Sequence, residues 1–186
     1  MKSVHLVLAV MFIVGCAMNG CTKDKLPTEF SVPDQLQSPT GAGVLRANID
    51  GLPWAAEDNT GISSGTSTYT GHILHISGAR AVVGDTAKES SGAETIDLII
   101  ELGAAQADIG PGTYKLGTIP AQEAEAQFHD ALSCVCYTSG THSGTVTITA
   151  LDLSKKVVSG RFAFDGMGTS GHGHNVSEGM FDVAWK

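Results

Sequence analysis

Two cysteines one residue apart, and two histidines one residue apart, carry most of the chemistry this sequence could perform. Cys134-Val135-Cys136 lies between His129 and His142, so His-x4-Cys-x-Cys-x5-His offers two thiols and two imidazoles in one stretch. Zinc accepts such ligands, but structural zinc sites place two to four residues between paired cysteines, and here there is one. On an extended strand both thiols would face one side, with Cα atoms near the outer limit for bridging, so a disulfide between Cys134 and Cys136 requires a turn at Val135. Export would permit oxidation; a pair of small buried thiols is the equal alternative. His172-Gly173-His174 also puts both rings on one side of an extended backbone, with Asp165 or Glu178 near in sequence. This second pair comes with no fixed third ligand. The expectation is therefore no metal at His129, Cys134, Cys136, His142, His172 or His174, and no cofactor.

Asp97 and Glu101 are spaced to share a strand face, the nearest approach to the carboxylate pair a hydrolase would need. The simpler reading is the solvated side of that strand. Gly61-Ile62-Ser63-Ser64-Gly65 spells a nucleophile elbow, yet it lies in a Ser/Thr-rich stretch with no helix after it. Gly166-Met167-Gly168-Thr169-Ser170-Gly171 spells a dinucleotide-binding fingerprint, again with no helix to hold a pyrophosphate, and reads as a flexible loop. Trp54, Tyr69, Tyr114, Tyr137 and Trp185 could line a sugar platform, but at 6% aromatics the chain has few beyond those a core needs.

The elements that must position these groups are strands. From Gly144 to Gly166 the sequence reads as a hairpin. Val146, Ile148 and Ala150 share one parity in the first arm, and Val158, Phe162 and Phe164 share one in the second, opposite Ser159, Arg161 and Ala163. Asp152 to Lys156 is its turn, and Gly160 on the apolar face marks a bulge or a close approach. Asp50-Gly51 between alternating runs signals another hairpin. Further strands are expected at His72 to Ser77, Thr95 to Leu102, Thr113 to Leu116, Phe128 to Leu132, Val135 to Thr138 and through Phe181, Val183 and Trp185. Ala104 to Ile109 and Ala121 to Ala126 have helical propensity.

Twenty-three glycines in 186 residues suit a turn-rich β protein. The net charge is −8, and residues 1–40 hold three cations and three anions, so the excess lies in the rest of the chain. An acidic domain repels phosphate backbones, which excludes nucleic acid as an expected partner. Lys2 followed by the apolar run Val4 to Val14 has the form of a signal peptide too short to span a bilayer. The run ends in Ile13-Val14-Gly15-Cys16, which resembles the lipobox of bacterial lipoproteins and makes Cys16 the expected lipid anchor. Cys21 is the alternative, because it would leave an even pair of cysteines in the mature chain. Residues 16–40, with three of the six prolines between Cys21 and Thr40, read as a disordered tether.

Ala47-Asn48-Ile49-Asp50-Gly51-Leu52-Pro53-Trp54-Ala55-Ala56, His75-Ile76-Ser77-Gly78, Gly112-Thr113-Tyr114-Lys115-Leu116-Gly117, the Gly144–Phe164 hairpin and Gly179-Met180-Phe181-Asp182-Val183 follow in that order. Through these motifs the sequence resembles an uncharacterised family of secreted Bacteroidota lipoproteins with all-β domains of unknown function. The resemblance covers most of residues 41–186 and implies structural roles for the motifs, with no catalytic residues. Asp85-Thr86-Ala87 also resembles the short O-glycosylation tripeptide of such bacteria. The expected protein is a signal peptide (1–15, or 1–20 if Cys21 is the anchor), a tether (16–40) and a β-sandwich domain (41–186). That domain is read as an antiparallel sandwich or barrel of about 8–10 short strands. Its expected role is a non-catalytic binding or accessory module, lipid-anchored to the outer membrane, with a glycan or protein ligand. A polymer hydrolase and a metal-binding envelope protein are the rival readings.

Overall fold

The alternation in the Gly144 hairpin does what the pattern demands. In the computed structural model, which describes residues 38–57, 66–82, 92–103, 106–117, 123–130 and 135–185, β9 (Gly144–Asp152) and β10 (Val157–Met167) pair antiparallel. Val146, Ile148, Val158, Phe162 and Phe164 are all buried. The turn is held by Asp152, whose Oδ1 accepts from the Ser154 and Lys155 amides, each at 3.0 Å. The Ser154 hydroxyl and then the Lys155 amide and ammonium hold the Asp152 carboxyl down to about 2. Gly160 shows both expected features. The register shifts between Ser159 and Gly160, and a Cβ there would lie 2.2 Å from Thr147 O and 2.4 Å from Phe181 Cζ. The bulge also overturns one expectation: its extra residue is Thr149 on β9, so Leu151 rather than Ala150 packs against the core beside its partner Val158. Ser159 keeps its expected parity but is fully buried rather than wet, and Thr149 Oγ1 donates to Ser159 O at 3.1 Å.

The other strands are β1 (Val44–Ile49), β2 (Leu52–Ala55), β3 (Thr66–Tyr69), β4 (Ile73–Val82), β5 (Gly92–Glu101), β6 (Gly112–Leu116), β7 (Ala124–His129), β8 (Val135–Tyr137) and β11 (Gly173–Ala184). They form one eleven-stranded sheet in the order β2-β1-β11-β10-β9-β6-β7-β5-β4-β3, with β8 pairing β7 and meeting β10. Pairing is antiparallel apart from one β6–β7 contact and one isolated bridge. The sheet curls until its ends meet. Ser67 bridges Trp185 and donates to Ala184 O at 3.0 Å; past the end of β2, the Glu57 amide donates to Ala79 O at 2.9 Å. The result is a small closed barrel with additional strands. No helix occurs among the described residues.

Three further departures have local causes. Ala124–His129 is a strand, because Ala124, Ala126 and Phe128 alternate into the core and β5 pairs along its length; this outweighs the helical propensity of Ala, Glu and Gln. Gln106–Ile109 is not helical either, being a turn in which the Gln106 amide donates to Gly103 O at 2.8 Å. The glycine-rich stretch is a loop only from Gly168 to His172. β10 continues to Met167 and β11 starts at Gly173, leaving a tight turn closed by the Gly168 amide donating to His172 O at 2.8 Å.

The core packs Trp54, Leu74, Ile76, Ile96, Leu98, Ile100, Phe128 and Phe181 inside the barrel. The chain joins the barrel beside the end of β11. There the Thr40 and Gly41 amides donate to Asp182 Oδ1 at 2.9 and 2.8 Å, and the Thr40 hydroxyl reaches Asp182 Oδ2. Gly41, at φ +69, lies so close to Val157 that a Cβ would come within 2.6 Å of it.

Candidate functional site

One mouth of the barrel collects the ends of β1, β4, β7 and β10 with the starts of β2, β5 and β11. Asp50 sits there because a type I′ two-residue hairpin needs positive φ at both turn positions, and Asp50-Gly51 supplies +51° and +81°. The turn is then fastened to β11. The Asp50 amide donates to Asn175 O, the Asn175 amide donates back to Asp50 Oδ1, each at 2.9 Å, and His174 Nδ1 lies 2.7 Å from Asp50 Oδ2. Burial pushes the Asp50 carboxyl up, but the Asn175 amide and the His174 ring outweigh it and hold it below the usual carboxylate range.

The His174 ring is braced by the edge of Phe128, with centroids 5.0 Å apart at 79°. Its Nε2 faces Asp130, just past β7, at 3.9 Å from Oδ2, a separation too long for a hydrogen bond. Arg80 and Glu94, cross-strand partners on β4 and β5, form a pair at 2.7 Å, and Arg80 Nη1 also donates to Pro53 O at 3.1 Å. These side chains, with Ile49 and Leu52, line a cleft of about 190 Å³. A second hollow of about 390 Å³ lies elsewhere, between Lys115 and the hydroxyls of Ser139, Ser143 and Thr145.

The residues singled out in the sequence disperse. His174 enters the mouth cleft, whereas His172 forms the turn before it; Asp165 holds the Asn175 side chain at 2.7 Å and Glu178 that of Asn48 at 2.7 Å, so neither joins His174. His129 lies on β7 near Asp97, and His142 in the turn whose amide donates to Ser139 Oγ at 3.2 Å. Cys136 is fully buried and disulfide-bonded, with Sγ 3.4 Å from His172 O. Val135 is the first residue of β8 rather than a turn, and Cys134 lies outside the described residues. So do Cys16, Cys21, the Gly61–Gly65 pattern and Asp85-Thr86-Ala87. Among the described residues no three His, Cys, Asp or Glu side chains converge as metal ligands.

Asp97 is bound to His75 at 3.0 Å. Burial raises its carboxyl, but hydrogen bonds from His75 and Ser77 and the nearby charges of His75 and His129 bring it below its ordinary value. Neither Asp97 nor Glu101 lines the mouth cleft. Trp54 and Trp185 are core residues, the latter against Tyr69 at 5.1 Å, so no aromatic platform includes them. Asp50, Arg80, Glu94 and Asp130 were not marked by the sequence. Only the Asp50-Gly51 turn was legible, and its partners lie more than a hundred residues away.

Fold and site together describe an all-β barrel domain with a small polar cleft at one mouth. The chain belongs to the family described as Domain of unknown function (DUF6252), which spans residues 42–183. No curated protein and no solved structure matches it.

Proposed function

We propose that this is a lipid-anchored protein of the bacterial outer membrane, its barrel serving as a non-catalytic binding or accessory module. The observation that carries the reading is the mouth cleft itself. Its polar groups are fixed by backbone bonds between hairpins, as a preformed binding site requires. Its placement supports tethering too. The chain joins the barrel at the start of β1, beside Asp182, and the cleft lies at the other end of that six-residue strand. The point where the chain enters is thus about 20 Å from the cleft, so an attachment there leaves the cleft open. The apolar run before Cys16 and Cys21 supports the anchor.

Two measurements test this. Cys16→Ser, Cys21→Ser and the double variant are fractionated; release of the chain from membranes by one of them supports the anchor, and unchanged fractionation in all three refutes it. Titration with soluble glycans and peptides, followed by NMR, should move the His174 and Asp130 signals before any others. If no member of a broad panel moves them, the binding reading fails.

A hydrolase remains the second reading, because a carboxylate-oriented imidazole is half of an acid–base set. Turnover of an envelope or dietary polymer, abolished by His174→Gln, would favour it.

A further inference from the structure

We infer that the second hollow, lined by Lys115 and the hydroxyls of Ser139, Ser143 and Thr145, binds a monoanionic sugar through its carboxylate or sulfate group. This site shares no lining residue with the mouth cleft and goes beyond the function proposed there.

The hollow has fixed walls. Lys115, next to last in β6, pairs across the ladder with Thr145 near the start of β9. The chain between β8 and β9 turns over residues 139–143 to form the opposite side. There Ser139 Oγ accepts from the His142 amide at 3.2 Å, and Ser143 O accepts from the Asp165 amide at 3.1 Å. Thr138, 2% exposed, clamps the two sides together. Its hydroxyl donates to Gly117 O, just past β6, at 2.8 Å and accepts from the Ala126 amide on β7 at 3.1 Å. A ligand therefore meets a preformed surface and need not order it.

Charge and hydrogen-bonding capacity select the ligand. The chain holds 19 Asp and Glu against 11 Lys and Arg. Yet no carboxylate lines this hollow, and among the described residues none forms an ion pair with Lys115. Asp165, joined to Ser143 through its amide, gives its carboxylate to the Asn175 side chain at 2.7 Å. The Ser143 and Thr145 hydroxyls have no hydrogen-bond partner among the described residues either. An ammonium donates three bonds and accepts none, whereas each hydroxyl both donates and accepts. Their complement is one acceptor-only group beside several hydroxyls, which is an acid group on a sugar. One ammonium balances one negative charge. A phosphate ester, at about −1.5 to −2 near pH 7, leaves an excess that an acidic domain repels, and a carboxylate or sulfate ester does not. No aromatic ring lines the hollow, so a nucleobase or aromatic acid finds no stacking surface. At about 390 Å³ the space falls within the ~300–1,000 Å³ of small-ligand sites, room for a sugar ring with its acid group.

Two sources carry this chemistry: a uronic acid and a sulfated sugar. The full chain in detergent is titrated with methyl glucuronide and with methyl glucoside 6-sulfate, followed by backbone amide NMR. Methyl glucoside and methyl glucoside 6-phosphate are the neutral and dianionic counterparts. The expected result is saturable shifts at Lys115 and residues 139–145 with at least one monoanion. Its binding should be at least about tenfold tighter than that of methyl glucoside, a difference of ~1.4 kcal/mol, and should weaken as salt rises. Lys115→Gln should abolish that preference and Lys115→Arg should keep it; Lys115 is exposed, so neither change disturbs packing. The monoanion that binds identifies the source. Equal affinity for acidic and neutral sugar, no binding of either monoanion, or tighter binding of the phosphate would each overturn the inference. The comparison of sugars needs no variant, so a misfolded mutant cannot obscure it. An acidic sugar that shifted His174 and Asp130 but not Lys115 would overturn this inference while supporting the mouth cleft as the binding site.

Discussion

Replacing Gly160 with alanine tests the central seam of the barrel. The added Cβ would lie 2.2 Å from the Thr147 carbonyl oxygen and 2.4 Å from the Phe181 ring. Ordinary carbon–oxygen contacts begin near 3.3 Å, so β9 must retreat by about 1 Å or the bulge must be undone. The other neighbour cannot yield cheaply, since Phe181 is fully buried. Overpacking of this kind costs about 1–3 kcal/mol, and losing one ladder bond adds about 1 kcal/mol. Gly160→Ala should thus destabilise by about 2–4 kcal/mol, lowering the melting temperature by roughly 5–15 °C. The assay is a urea melt beside Gly110→Ala, where a Cβ would meet nothing within 4 Å and the change should be within about 1 kcal/mol of neutral. Phe181→Leu in the Gly160→Ala background should show favourable coupling of about 1 kcal/mol, because only the ring half of the clash is relieved. Equal midpoints for Gly160→Ala and Gly110→Ala would refute the packing argument.

Phe162 is buried between Phe164 and Phe181, so Phe162→Ala should cost about 3–5 kcal/mol in the same melt, against under about 0.5 kcal/mol for Ala163→Ser on the exposed side. The Asp97 carboxyl is held below its ordinary value of 3.8, so its contribution is present above that pH and is lost as pH falls through the lower folded-state value. Asp97→Asn should lower stability at pH 7 and flatten the decline below about pH 4; an acid limb unchanged in slope would contradict this. Asp182→Ala removes the acceptor for the Thr40 and Gly41 amides and should cost about 1–2 kcal/mol, while amide exchange at Gly41 becomes fast.

What the sequence disclosed follows from the range of the interactions involved. The β9–β10 hairpin and the Asp50-Gly51 turn were legible because alternation and turn chemistry act between neighbours. Gly160 was legible because a glycine on an apolar parity is costly without a reason. Ala124–His129 was misread although its alternation is regular, since Ala, Glu and Gln favour helix in isolation and only pairing with β5 decides otherwise. Ala150 was placed inward in the position Leu151 takes, because one extra residue, Thr149, inverts the parity beyond it on its own strand. His174 was picked out for its neighbour His172, but it meets Asp50 and faces Asp130, 124 and 44 residues away by number, the first through the pairing of β1 with β11. No local pattern encodes that meeting.

The Asp182 clip gives the domain a direction of mechanical strength. Tension entering at Thr40 first loads three hydrogen bonds to one carboxylate, then the β1–β11 ladder running the length of β1. Tension leaving through a partner at the cleft departs from Asp50 and His174, at the far end of those same two strands. The load path therefore runs along a single strand pair and bypasses the remainder of the barrel. Antiparallel strands pulled from opposite ends slide past one another, so their bonds must fail together rather than in sequence. Resistance to forced unfolding is a matter of rate, and this geometry sets that rate by β1 and β11 alone. A load applied between Thr40 and the cleft would thus leave the strands on the other side of the barrel unstressed.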